Sequence, residues 1–168
     1  VRATGGTTFR TLADRAADWI NLKDFGTAVG NGSDATAAIV AAMAVATSKT
    51  IYIPAGTYGL TTGTRTASSA VSLVGQGAGK SIIQMPASCT QTGDILVWVA
   101  RSNVTIQDLT LDLNGCTASG ISGGLSVAGG ANLTINRVSI INAGSGPWLQ
   151  ISLNGVTAAQ VTNSYIHR

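Results

Sequence analysis

The sequence is short of charge, of cysteine, of histidine and of long apolar runs, and each shortage removes a class of function. Ten basic and seven acidic side chains among 168 residues are too few to solvate the faces of a helical bundle. The basic residues give a formal charge of +3 but are scattered singly, with no run able to track a phosphate backbone, so nucleic acid is not expected as a partner. No stretch approaches the roughly eighteen uninterrupted apolar residues of a membrane span, and the opening VRATGGTTFR lacks the apolar centre of a signal peptide. The expectation is a soluble chain with no membrane partner and no visible export signal. Cys89 and Cys116 are the two cysteines, 27 residues apart, with no His or Cys at metal-ligand spacing. Two separate thiols are expected rather than a disulfide, and neither a metal nor another cofactor is expected.

What is present is small and apolar: 21 Gly, abundant Ala, Ser and Thr, and Val, Ile and Leu recurring throughout, which excludes disorder. The length suits one domain. Gly75-Gln-Gly-Ala-Gly-Lys80 follows a predicted strand, but Val74 stands where the first glycine of a phosphate loop belongs and no helix follows, so nucleotide binding is not expected.

The second half repeats itself. Val104-Thr-Ile-Gln-Asp-Leu-Thr-Leu111 reads in register with Leu133-Thr-Ile-Asn-Arg-Val-Ser-Ile140 at an offset of 29, and the same offset carries Leu96, Trp98 and Asn103 onto Leu125, Val127 and Asn132. A looser copy follows at an offset of 26, with Ile151, Leu153, Val161 and Ile166 in the apolar places and Ser164 opposite Val138. Each unit reads apolar-polar-apolar, two polar residues, then apolar-polar-apolar, the signature of two short strands separated by a bend. Such a unit buries its inner face only by stacking on its neighbours. The leucine-rich pattern L-x-x-L-x-L-x-x-N is not met, and helical 3.6-residue stripes are missing. The expected fold is therefore an all-β solenoid, a right-handed parallel β-helix, in which rung stacking sets Asp108 beside Arg137 as a surface ion pair.

Ahead of the rungs, Ser33 to Ala46 reads as a helix capped by Ser33 or Asp34, its few charges suiting it to cover the open end of the stack. Thr50-Ile-Tyr-Ile-Pro-Ala-Gly-Thr-Tyr58 predicts a strand, a turn at Pro54-Ala-Gly56 and a second strand. Val71–Val74 and Ile82-Ile83 predict the next rung. Thr11–Ile20 predicts two to three helical turns with Leu12, Ala16 and Trp19 on one side, giving a neck or linker over 1–20 and a β-helix over 21–168.

Asn21-Leu-Lys-Asp-Phe-Gly26, Gly30-Asn-Gly-Ser-Asp-Ala-Thr-Ala-Ala-Ile39, Ile51-Tyr-Ile-Pro-Ala-Gly-Thr-Tyr58 and Leu73-Val-Gly-Gln-Gly77 together resemble the opening module of the pectate-lyase-like superfamily. The family pattern runs V-K-D-F-G-A-x-G-D-G-x-T-D-D-T-A-A-I and then I-x-x-P-x-G-x-Y. Here Thr27 is an insertion, Asn31 replaces Asp, and Ala35 replaces the second Asp of a pair. Thr8-Phe-Arg-Thr-Leu-Ala-Asp-Arg15 resembles the joint between the virion-binding part and the β-helix of bacteriophage tailspikes. The resemblance implies a homotrimer on a virion tail, extracellular, in contact with other tail proteins and with host capsular polysaccharide or lipopolysaccharide.

Glycoside hydrolysis needs two carboxylates about 5–9.5 Å apart, and lyase chemistry needs a base and a cation. Of the seven acidic residues, Asp94, Asp108 and Asp112 lie on rungs, and Asp108 and Asp112 flank one strand, which makes them the catalytic candidates. The alternative is an ion-pair partner and a turn residue. His167 is a candidate base weighed against an ordinary surface histidine. Trp148, expected in a loop after Gly144-Ser-Gly-Pro147, is a candidate sugar-stacking residue weighed against packing. No constellation meets the geometry of an active site, so catalytic rungs are expected beyond Arg168. The readings in play are a tailspike depolymerase, a non-enzymatic virion or receptor-binding component, and a secreted pectate-lyase-like enzyme; the last calls for a signal peptide and a full set of rungs.

Overall fold

The computed structural model describes residues 19–26, 30–67, 69–120 and 122–167. Alternating apolar and polar residues send every second side chain inward, and parallel pairing between successive turns stacks those side chains into columns. Strands β1 (Trp19–Asn21), β3 (Thr50–Ile53) and β6 (Ser72–Gly75) pair in order. β6 then meets the first half of β10 (Val104–Asp112), which pairs with β13 (Ala131–Ile141) and through it with β15 (Thr157–Thr162). A second strip joins β2 (Asn31–Asp34), β4 (Gly56–Gly59), β7 (Ser81–Gln84), the second halves of β10 and β13, and β16 (Tyr165–Ile166). A third holds β5 (Arg65–Ala67), β9 (Leu96–Val99), β12 (Ser122–Ala128) and β14 (Trp148–Asn154). The short pair β8 (Thr90–Gln91) and β11 (Thr117–Ala118) closes a corner. The architecture is a right-handed parallel β-helix.

The repeat read from the sequence is the register of the stack. Val104 to Asp112 faces Leu133 to Ile141 at the offset of 29, and Ile135 faces Val161 and Ile140 faces Ile166 at 26. Ser164 turns its substitution for valine into a contact, its Oγ accepting from Val138 N at 3.2 Å. The two polar residues between half-strands form the bend: Asp108, Arg137 and Asn163 stand one above another with φ of 59°, 51° and 50°. Asp and Asn tolerate this left-handed geometry better than most residues.

The core is columnar. Ile51, Leu73, Ile106, Ile135 and Val161 stack on one another in one strip, and Tyr58, Ile83, Leu111, Ile140 and Ile166 in the next. Ala67, Trp98, Val127 and Leu153 supply the third side. Burial is complete along the middle and fades at the last turn, where Val161 and Ile166 are 42% and 45% exposed.

Helix α1 (Thr36–Val45) lies at the first turn, burying Ala38, Ile39, Ala42 and Met43 against the 3-10 turn Leu22–Phe25 and β5. It starts later than the sequence suggested, because Ser33 and Asp34 belong to β2 and Ala35 occupies the N-cap position. Asp34 still serves the first turn from outside, Oδ1 accepting from Thr36 N at 2.8 Å. Trp19 and Ile20, expected to end a helix, instead pair as a strand with Thr50 and Ile51, so two residues expected in the neck belong to the stack. The remainder of the expected neck helix, residues 11–18, lies outside the described residues.

The expectation of two separate thiols is overturned: Cys89 and Cys116 form a disulfide with a Cα–Cα distance of 4.4 Å. The reason is the stack itself. β8 pairs with β11 as Thr90 to Thr117 and Gln91 to Ala118, and one residue earlier the same register sets Cys89 beside Cys116.

Candidate functional site

Two rows of polar side chains run across the rungs, one at the strand bend and one at the corner where the second strip ends. At the bend, Arg137 Nε and Nη2 donate to Asp108 Oδ1 and Oδ2 at 2.6 and 2.7 Å, a bidentate pair of the kind that rung stacking demanded. Gln107 Nε2 donates to Oδ2 at 3.2 Å. Between the same two turns, just before the paired residues Val104 and Leu133, Asn132 Nδ2 donates to Asn103 Oδ1 at 3.0 Å.

The Arg137 hydrogen bonds hold the Asp108 carboxyl below its ordinary value, slightly opposed by burial. A depressed carboxylate stabilises the fold above its unfolded pKa, near 3.9, and loses that contribution as pH falls through the folded value. The Asp108 side-chain carboxyl, followed by carbon-13 chemical shift, is expected to titrate more acidic than ordinary aspartate. Arg137→Ala is expected to return its midpoint toward the ordinary value; an unchanged midpoint would break the assignment.

Asp112 stands at the corner, 9% exposed, and binds three successive turns. Gln84 Nε2, Asn114 N and Asn142 Nδ2 each donate to it at 2.9 Å. Asn114 Nδ2 in turn donates to Met85 O at 3.0 Å. Four residues of extended chain separate Asp108 from Asp112, at most about 13 Å at ~3.3 Å per residue. The structure does not bring the two together: one is at the bend in an ion pair, the other buried at the corner as a clamp between rungs.

The corner row continues through the registers as Asp34, Gly59, Gln84 and Asp112. Gly59 is forced by close approach, since a Cβ there would lie 2.8 Å from Ser33 O and 2.9 Å from Gly32 O. Without a side chain at that step, a groove of about 290 Å³ runs across successive turns past Asp34, Gln84 and Asn114, lined also by Leu60, Pro86 and Ala87. Hydrogen bonds from Thr36 hold the Asp34 carboxyl below its ordinary value, against a smaller effect of burial and with a further contribution from Arg65, so it is ionised at neutral pH. A shallow groove that presents a carboxylate and two carboxamides beside apolar carbon is chemistry for hydroxyl-rich ligands. Sequence reasoning missed this row because its members come from the early turns, whose spacing of 25, shared by the Thr36–Thr61 contact beside it, differs from the 28 between Gln84 and Asp112.

Trp148 is the first residue of β14 and not a loop residue; it is 8% exposed, with Nε1 donating to Cys116 O at 3.2 Å, and that burial gives it a packing role. His167 is exposed, its ring stacked on Tyr165 at 5.8 Å and its backbone N bonded to Ile140 O. Arg65, 3% exposed, donates to the carbonyls of Gly63 and Thr61, and burial lowers its affinity for its proton. Among the described residues no group of three or more His, Cys, Asp or Glu is placed to hold a metal ion, and no helix is long and apolar enough to cross a membrane.

Comparison with known proteins gives the same frame. The family described as rhamnogalacturonase A/epimerase, pectate lyase-like, matches residues 19–97. Mannuronan C5-epimerase AlgE1 of Azotobacter vinelandii is 42% identical over 108 residues, covering 56% of this chain and 8% of that protein. The A-module of mannuronan C-5 epimerase AlgE6 from the same organism superposes with a TM-score of 0.71 at 27% identity, over 88% of this chain and 44% of the module. ORF18 of Geobacillus virus E2 shares the fold, with a TM-score of 0.54 at 19% identity over 94% of this chain and 40% of its own. The chain thus spans 8% of the AlgE1 protein and less than half of these two solved structures. Its rung registers make it a parallel β-helix, and its opening module and these likenesses make it similar to the pectate-lyase-like proteins.

Proposed function

We propose that this chain is the tail-proximal part of a phage tailspike that attaches to host surface polysaccharide, holding the glycan along the corner groove, with depolymerisation carried out by rungs beyond it. The observation that carries the polysaccharide part is the 42% identity to a protein named for its action on mannuronan, on a fold that opens a polar groove at Asp34, Gln84 and Asn114. The virion part rests on the Thr8–Arg15 segment and its resemblance to the tailspike joint. The Cys89–Cys116 disulfide supports a setting outside the reducing cytosol.

A second, non-enzymatic reading is favoured by a specific observation: Asp108 and Asp112 are both committed to contacts between rungs. In that reading the β-helix is a rigid trimeric receptor-binding scaffold. Both readings require binding, so binding is measured first. The purified chain is expected to be retained on at least one immobilised bacterial capsular polysaccharide or lipopolysaccharide. Ala87→Trp, which fills the groove from an exposed position, is expected to weaken retention about 10-fold or more at unchanged circular dichroism. Retention on no surface glycan, or retention indifferent to Ala87→Trp, overturns the groove assignment. Release of shortened glycan by the protein in its natural full length then separates the two readings.

A further inference from the structure

A second hollow lies beside the first strand and shares no lining residue with the corner groove. Strand β1 pairs with β3 so that Asn21 faces Tyr52, and Trp19, two residues back, projects from the same face. The two rings meet edge to face, centroids 6.3 Å apart at 80°. With Asn21 and the exposed Asp24 they line a concavity of about 450 Å³. Trp19 is 54% exposed, whereas Trp98 and Trp148 are 0% and 8% exposed. An indole left open to water beside a carboxylate and a carboxamide is not a core residue that failed to find cover; it is a flat apolar face with hydrogen-bond acceptors at its rim.

We propose that this hollow is a binding subsite for a neutral pyranose ring, with Trp19 stacked against the C–H face of the sugar and Asn21 and Asp24 taking its hydroxyls. The proposal rests on the polysaccharide reading and adds a second contact to it. The acceptors are held in place: Asn21 Oδ1 caps the following 3-10 turn by accepting from Lys23 N at 3.0 Å, and Asp24 sits on that turn. Lys23, on the same 3-10 turn, has its Nζ turned to Ala55 O at 3.5 Å. A uronate carboxylate would meet the Asp24 carboxylate at the rim, and that like-charge contact favours neutral over acidic sugars.

The test is titration of the intact chain with short neutral malto-, cello- and manno-oligosaccharides, and with oligomannuronate as the charged comparison. Calorimetry reports affinity, and tryptophan emission, which is dominated in its solvent response by Trp19, reports contact. At least one neutral series is expected to bind saturably and to shift the emission. Trp19→Ala is expected to weaken it about 10-fold or more, Trp19→Phe to retain most of it, and Asp24→Asn to bring oligomannuronate up toward the neutral sugar. No saturable neutral binding, or affinity indifferent to Trp19→Ala, overturns the subsite. So does poor acrylamide quenching of the unliganded intact chain, which would mean that Trp19 is already covered. Glycan retention that survives Trp19→Ala but is lost in Ala87→Trp overturns this subsite and leaves the groove standing. The reverse pattern supports the subsite and removes the groove.

Discussion

Trp98→Ala is expected to lower the unfolding free energy by about 3–5 kcal/mol, the range for removing a fully buried large aromatic side chain. The indole is 0% exposed and stands directly over Ala67 in its column, so its bulk fills the space that the small neighbour leaves. Rungs are spaced at about 4.8 Å and cannot close vertically on a cavity without breaking their ladder, so relaxation at this site is limited. The ring also ties two turns together, Nε1 donating to Val71 O at 2.9 Å across 27 residues. Val71 is itself 0% exposed, so the alanine variant leaves its carbonyl unsatisfied at a cost of about 1–3 kcal/mol. Trp98→Phe separates the two effects, keeping most of the volume while losing the donor, and is expected to cost about 1–2 kcal/mol. Urea unfolding midpoints at constant slope make the measurement. Equal losses in the two variants would show that the hydrogen bond and not the packing fixes this side of the solenoid.

The columns behind that prediction were legible because the repeat was. Where two rungs keep one length, a fixed offset carries Leu96 to Leu125 and Ile106 to Ile135, and the pairing of Asp108 with Arg137 follows from arithmetic. Where turns between rungs vary in length, the arithmetic fails. The offset from Ile51 to Leu73 is 22 residues and from Leu73 to Ile106 is 33, so the first rungs were placed by turn residues and by resemblance instead of by period. Trp148 was read as a loop residue because Gly144-Ser-Gly-Pro147 is a strong turn signal, yet the turn ends at Pro147 and β14 starts on the next residue. Trp19 and Ile20 were drawn into a helix by the apolar spacing that precedes them, and the tertiary pairing with Thr50 and Ile51 overrode it. Asp112 was singled out as a carboxylate flanking a strand. What the sequence did not carry is that Gln84 and Asn142, 28 and 30 residues away, come to its two oxygens from the neighbouring turns.

The disulfide is the clearest case of a signal present and unused, and it has a large expected effect. A separation of 27 residues means little as a metal-ligand spacing, but it lies close to the rung period and places two cysteines one above the other. Three contacts already hold that register without the bond. Thr117 N and Oγ1 donate to Cys89 O at 2.7 and 3.2 Å, and the Thr90 and Thr117 hydroxyls are 3.2 Å apart. The cross-link therefore acts chiefly on the unfolded chain, closing a loop of 27 residues, which the chain-entropy argument converts to about 3.5 kcal/mol. Cys89→Ala/Cys116→Ala is expected to keep the native circular dichroism and to lose about 2–4 kcal/mol of unfolding free energy. The single variant Cys116→Ala is expected to lose about as much, because it removes the cross-link and empties the same 0% exposed position beside Trp148, whose Nε1 is bonded to Cys116 O. Unfolding with and without reductant, with the thiol state read by mass, decides the matter: a midpoint unmoved by complete reduction would mean that the ladder and not the sulfur bridge holds this corner.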